Sequence, residues 1–180
     1  MTGEEALFKR MESGDNDALQ ELIAMYYPEI LRYCMWNAPD RHMAEDAAQE
    51  TFLKAIRYFD RYVHKGRFRA FLYQVAANTC IDMKRKRYLT DVGYEQLTQE
   101  PEYEERGFQT ADDSLQLRQM VAALPAEWQD IVILRYGQDL SMREIAQIVR
   151  LPLRTVQSRL RLALKKLRKE MKDASVNGES

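Results

Sequence analysis

Apolar residues recur at helical spacing along most of this 180-residue chain, and the recurrence lapses once, over residues 89–112. That stretch holds Gly93, Pro101, Gly107 and the run Glu100-Pro101-Glu102-Tyr103-Glu104-Glu105. A gap of roughly twenty residues without period is too long for an ordinary connection inside a compact domain. The chain therefore has to bury its apolar surface in two separate cores. No alternating apolar/polar pattern survives on either side, which argues against strands. The expected fold is all-α. Two small helical domains, residues 1–90 and 113–172, are joined by a flexible acidic linker over 91–112 and followed by a disordered tail over 173–180.

In the first domain the spacing predicts helices over residues 4–12, from Asp15 or Asn16 to about Trp36, from Arg41 to about Phe59, and from Arg67 to about Arg87. Pro28 should bend the second of these without ending it, because the apolar pattern resumes at Ile30, Leu31 and Cys34. In the fourth, Phe68, Phe71, Leu72, Val75, Ala76, Thr79 and Met83 form a buried stripe. Gln74, Asn78 and Asp82 share a different face. The second domain should hold four helices, over about 113–124, 126–136, 142–149 and 153–171. Apolar runs are only a few residues long, so no membrane insertion is expected. The first eleven residues mix Glu4, Glu5, Lys9 and Arg10 and do not read as a secretory signal. A cytoplasmic location follows as the expectation.

The formal net charge of −1 suggests no polyanionic partner until it is resolved along the chain. Residues 1–60 carry 6 basic and 12 acidic side chains, a net of −6, and residues 61–90 carry 8 and 1, a net of +7. Residues 91–113 carry 1 and 8, a net of −7, and residues 114–180 carry 12 and 7, a net of +5. Two basic blocks are masked by two acidic ones, an asymmetry that points to anionic and cationic partners at different places. The linker acids, folded back over the basic helices, would shield these in the free chain.

In the second domain, Ser141-Met142-Arg143-Glu144 reads as a capping box opening a short helix that buries Ile145, Ile148 and Val149. Arg150-Leu151-Pro152 interrupts it. The next helix has Val156, Leu160, Ala163 and Leu167 on its inner face. Two helices joined by a tight turn, the second basic, match a helix-turn-helix unit. Outward on the second lie Arg154, Thr155, Gln157, Ser158, Arg161 and Lys165, with Arg159 at the boundary. Arg and Gln can pair with base edges in the major groove, Ser and Thr with phosphate or base, and Lys with phosphate. An ordinary helical hairpin with a solvated basic face has the same composition.

In residues 57–73 of the first domain aromatic and basic side chains interleave, among them Arg61, Tyr62, Lys65 and Arg67 around the loop Asp60–Gly66. Aromatic faces stack on unpaired bases while cations follow the backbone. Core packing is the better reading for Phe68 and Phe71. Lys84-Arg85-Lys86-Arg87 suits duplex phosphates, or the negative end of a helix dipole. Glu45, Asp46, Gln49 and Glu50 lie close together on the third helix with Lys54 one turn on, a patch that is by itself no more than a solvated face. His42 and His64 have no partners at catalytic or metal-ligand spacing. Cys34 and Cys80 fall on apolar stretches as core residues, too few for a disulfide framework or a zinc site. No enzyme, no cofactor and no metal is expected.

Four blocks together carry a resemblance: AEDAAQETFLKAI (44–56), GRFRAFLYQVAANTCIDMKRKR (66–87), LPAEWQDIVILRY (124–136) and SMREIAQIVRLPLRTVQSRLRLALKKLR (141–168). In this order, flanking an acidic linker, they resemble the extracytoplasmic-function (ECF) RNA polymerase sigma factors of the sigma-70 family. The resemblance implies an alternative sigma factor, with region 2 over 1–90 and region 4 over 113–172. It implies that Asp46, Gln49, Glu50 and Lys54 dock on core RNA polymerase at the β′ clamp, with a second contact at the β flap. It puts Asp60, Arg61, Tyr62, Lys65, Arg67, Asn78, Asp82, Lys84, Arg85 and Arg87 at the promoter −10 element. Arg154, Thr155, Gln157, Ser158, Arg159, Arg161 and Lys165 fall at the −35 element. An anti-sigma factor is a further partner that the resemblance implies. The chain departs from the family at Arg154, where a small residue is usual, and at Leu162 and Leu164, where Arg is frequent. A helix-turn-helix regulator acting alone and a polymerase-binding protein that does not initiate transcription are the alternatives.

Overall fold

Three helices of the first half begin where a side chain accepts a backbone hydrogen bond that the helix cannot satisfy itself. Thr2 and Glu5 form a capping box at the start of α1 (Gly3–Glu12). Asp15 accepts from the Asp17 N–H at the start of α2 (Asn16–Asn37). Asp40 accepts from the Met43 N–H at 2.8 Å to open α3 (Arg41–Arg57). The fourth helix, α4, spans Phe68–Thr90. The structure, a computed structural model, describes residues 2–59, 67–90 and 111–178, without the side chains of Tyr88 and of residues 111–114. The loop at 60–66 and most of the acidic linker lie outside the described residues. The chain divides into two units, Met1–Glu100 and Pro101–Ser180.

In the first unit α3 is the thin element. It turns Ala44, Ala47, Ala48, Thr51, Phe52 and Ala55 inward, and these small side chains let α2 and α4 pack closely against it. The helix α2 continues through Pro28 and buries Leu22, Tyr26, Ile30, Tyr33 and Cys34. Between α2 and α4 the Tyr33 and Tyr73 rings meet edge to face at 5.5 Å. Glu29 accepts from the Arg69 guanidinium at 2.7 Å and from the Tyr73 hydroxyl at 3.1 Å, so the buried phenol keeps a polar partner. A second aromatic cluster brackets the loop at 60–66. Phe59 stacks on Phe8 at 5.8 Å, and Phe68 meets Phe8 and Tyr26 edge to face at 5.2 and 5.7 Å. Burying rings of this kind stabilises by about 2–3 kcal/mol each.

The second unit opens with α5 (Ala111–Ala122) and α6 (Ala126–Val132), whose corner is closed by the Gln129 amide donating to the Ala122 and Leu124 carbonyls. The helix expected over 126–136 changes character at Ile133, where a π-turn runs to Gly137. The cause is the return of the chain: Leu140 is fully buried, its N–H donates to the Leu134 carbonyl, and the Arg135 guanidinium donates to the Leu140 carbonyl. Ser141 and Glu144 form the expected capping box at the start of α7 (Met142–Val149). Arg150 ends α7 in the left-handed region, φ +56°, a conformation that costs a non-glycine residue about 1 kcal/mol. Pro152 then opens α8 (Leu153–Asn177). This helix passes both the end expected near Met171 and the start of the tail expected at Asp173. Lys172, Ala174 and Ser175 tolerate helical geometry, and Gly178 supplies the C-cap, its N–H donating to the Ala174 carbonyl.

Candidate nucleic-acid and partner interfaces

The inward alanines of α3 leave Asp46, Gln49 and Glu50 on the opposite side of the helix, with Asp46 and Gln49 exposed and Glu50 half-buried. His42 Nε2 stands 3.7 Å from the Asp46 carboxylate. Leu53, 59% exposed, completes the same stripe one turn beyond Gln49 and Glu50, and Ile56 is exposed next to it. Both lie beside this patch, and nothing in the sequence singled them out, because the spacing of apolar residues does not say which of them a neighbouring helix covers. Two exposed apolar side chains thus lie beside the Asp46 and Glu50 carboxylates. Lys54 leaves the patch. It reaches α4 instead, with Nζ 3.5 Å from Thr79 Oγ1 and 3.7 Å from the Asp82 carboxylate, and its side chain is only 26% exposed.

On α4, Asn78, Asp82 and Arg85 follow one exposed stripe, and Lys84, Lys86 and Arg87 are exposed around it. Arg67 is exposed just before the helix, and its carbonyl accepts from the Phe71 N–H. Asp82 is therefore shared between the stripe and Lys54. Ile81, 52% exposed, lies within the stripe and is a third apolar residue that sequence reasoning passed over. Asp60, Arg61, Tyr62 and Lys65 lie outside the described residues. Phe68 is buried and Phe71 half-buried, as core packing required.

On α8, Val156, Ala163 and Leu167 are buried and Leu160 is half-buried, so the helix turns Arg154, Gln157, Arg161 and Lys165 to solvent. Thr155 and Ser158 are half-buried at the edge. Among the described residues no carboxylate pairs with Arg154, Arg161 or Lys165. Arg159 is the exception on this helix, with Nη2 3.3 Å from the Glu127 carboxylate of α6. Leu162 is 45% exposed, off the buried stripe of α8. It lines a groove of about 580 Å³ with Trp128, Lys165, Lys166, Lys169 and Lys172. Leu164 is half-buried and belongs to the packing of α8.

Among the described residues no cluster of His, Cys, Asp or Glu could hold a metal, and no helix is long and apolar enough to cross a membrane. A capped short helix, a tight left-handed turn and a second helix with outward cations define a DNA-binding helix-turn-helix protein. The Sigma-70 region 2 family matches residues 22–90, and the Sigma-70, region 4 family matches residues 114–167. This chain belongs to the sigma-70 family, as an ECF RNA polymerase sigma factor that directs transcription initiation at promoters. It is 29% identical to the ECF RNA polymerase sigma factor SigW of Bacillus subtilis (strain 168) over 92% of this chain and 95% of that one. It is 31% identical to the RNA polymerase sigma factor YlaC of the same organism, over 86% and 92%. Among solved structures it is similar to CnrH in complex with the cytosolic domain of CnrY, with a TM-score of 0.72 at 19% identity over 99% of this chain and 100% of that one. It is also similar to the sigma factor RpoE in complex with the anti-sigma factor NepR from Bartonella quintana, with a TM-score of 0.67 at 21% identity over 85% and 96%. Sigma factors are in general non-enzymatic initiation factors that bind RNA polymerase.

Proposed function

We propose that the outward stripe of α3 docks on the β′ clamp of core RNA polymerase, with Asp46, Gln49 and Glu50 as the polar contacts and Leu53 as the apolar anchor. Lys54 acts behind this surface by tying α3 to α4. The helix α4, through Asn78, Asp82, Lys84, Arg85 and Arg87, and Arg67 just before it take the −10 element together with Asp60, Arg61, Tyr62 and Lys65 of the loop. A flipped base held there would repay its unstacking only where the pocket fits it, which makes the loop a source of sequence selection. The first turns of α8 read the −35 element through Arg154, Thr155, Gln157, Ser158 and Arg161, with Lys165 on phosphate and Arg159 held near the DNA by Glu127. The groove lined by Trp128 and Leu162 is the surface we assign to the β flap, because its apolar floor and cationic rim suit an apolar segment flanked by acids. Two DNA contacts on one tethered chain raise the effective concentration for the second, so promoter spacing becomes part of recognition. An anti-sigma factor that covers these faces, in the cytoplasm, completes the set of partners.

The observation that carries this reading is the outward display of Arg154, Gln157, Arg161 and Lys165 on the second helix of a helix-turn-helix, free of carboxylate partners among the described residues. Transcription in vitro with purified core polymerase and the DNA upstream of the chain's own gene tests it. A promoter-specific transcript that depends on the chain is the expected result, and its absence across several candidate promoters would overturn the assignment. Asp46→Arg combined with Gln49→Ala should abolish binding to core polymerase while the helical content stays intact. Unchanged core affinity would place the docking surface elsewhere.

A further inference from the structure

Cys34 and Cys80 are the chain's two cysteines, 46 residues apart, and the fold sets their Sγ atoms 3.9 Å from each other. Cys34 sits on α2 and is fully buried, and Cys80 sits on α4 and is 4% exposed. Nothing in polymerase docking or promoter reading calls for a thiol at either place. As packing alone, each is a small apolar side chain. Two thiols in van der Waals contact are also the arrangement in which one chain can complete a two-electron oxidation by itself. We propose that Cys34 and Cys80 are a redox modification site: a peroxide-class oxidant converts them to a reversible disulfide that staples α2 to α4.

The chemistry closes without any further reactant. Hydrogen peroxide transfers an oxygen to the Sγ of Cys80, the less buried of the two residues, giving a sulfenic acid and one water. The Cys34 Sγ then attacks the Cys80 sulfur. The S–S bond forms, the S–O bond breaks, and the hydroxyl leaves with the Cys34 proton as a second water. The thiol pair loses two electrons and the peroxide O–O bond takes them up. A dithiol such as dithiothreitol reverses the reaction.

The distance to be closed is short, since a disulfide bond is about 2.05 Å long. Closing it requires side-chain rotation and a shift of the two packed helices. The reaction is slow by construction. Contact with Cys80 and burial both push the Cys34 thiol up, and the thiolate is the nucleophile. Oxidation therefore proceeds through transient parting of α2 and α4, and the site responds to sustained oxidant over brief exposure. The loop it closes contains the whole of α3, with its outward stripe, and the stems of the segment at 60–66. The oxidised chain should lose fewer of these elements to local opening, because the cross-link restricts the unfolded chain.

The test uses the full chain, reduced, freed of reductant and treated with hydrogen peroxide, then denatured and alkylated with N-ethylmaleimide. The expected product is monomeric on a non-reducing gel and lighter by two hydrogens. It carries no maleimide where the untreated chain carries two, and dithiothreitol restores both adducts. Its first unit melts several degrees higher, read by hydrogen exchange of α2 and α4 peptides. Cys34→Ser and Cys80→Ser should each abolish the mass loss and the rise in melting, with Cys34→Ala in place of the serine variant should that one fail to fold. Two alkylatable thiols after treatment, separate oxygen adducts on each cysteine, or disulfide-linked dimers would overturn the proposal.

Discussion

Two helices of this protein, α4 and α8, are long, amphipathic and cationic, and they use their polar side chains in opposite ways. Several polar residues of α4 are bound into the fold, while Asn78, Lys84, Arg85 and Lys86 stay exposed. Arg69 and Tyr73 converge on Glu29, Thr79 and Asp82 meet Lys54, and Arg87 reaches the Met43 sulfur at 3.8 Å. On α8 one arginine of the reading face, Arg159, is held by a carboxylate, and the others stand in solvent. Changes on α4 will therefore mix binding with stability, whereas changes on α8 will separate them. The same contrast extends to the cores. The first unit relies on aromatic contacts and a half-buried ion pair, the second on aliphatic packing around a capped, tightly turned helix pair.

The contrast breaks most sharply at Phe68. Phe68→Ala removes the ring shared by Phe8 and Tyr26 and should cost the first unit about 4 kcal/mol, leaving α7 and α8 protected in hydrogen exchange. Equal loss of protection in both units would mean that they unfold as one. Alkaline pH comes next. Burial, with Glu4 beside one hydroxyl and Glu29 beside the other, pushes Tyr26 and Tyr73 well above the ordinary tyrosine range. Their contribution is whole below the unfolded value near pH 10 and is lost as pH rises beyond it, at about 1.4 kcal/mol per tyrosine per pH unit. Urea melts read at pH 9 and 11 should show the first unit losing stability faster than the second. Ser141→Ala removes the cap of α7 and should cost the second unit about 1 kcal/mol by the same measurement. The smallest expected effect is Arg161→Ala, within about 0.5 kcal/mol on stability. A binding titration across −35 variants should nevertheless show either relaxed preference at one base or a uniform loss. Marked destabilisation by Arg161→Ala would show that α8 too is woven into its unit.

Much of this architecture was legible from spacing. Helices keep their apolar residues at intervals that survive without any tertiary information, so α2, α3, α4 and α7 fall close to where the pattern puts them, and the Ser141–Glu144 cap is readable as a four-residue word. The π-turn at Ile133–Gly137 was not legible, because it arises from Leu140 folding back to bury itself. Lys54 read as part of the α3 patch because Glu50 lies four residues before it. Its turn toward Asp82 depends on where α4 packs. The exposure of Leu53 and Ile56 was not legible for the same reason: it is decided by which face of α3 carries the alanines inward.

The sequence by itself determined that this protein is helical, that it holds two cores, and that its cations and acids are sorted into blocks. Those properties follow from local periodicity and from charge order along the chain, which no packing can change. Only the tertiary structure decided which charged groups remain available to a partner and which are consumed within the fold, and only it set the two thiols in contact. Such pairings join residues tens of positions apart, and their distances are fixed by how helices pack.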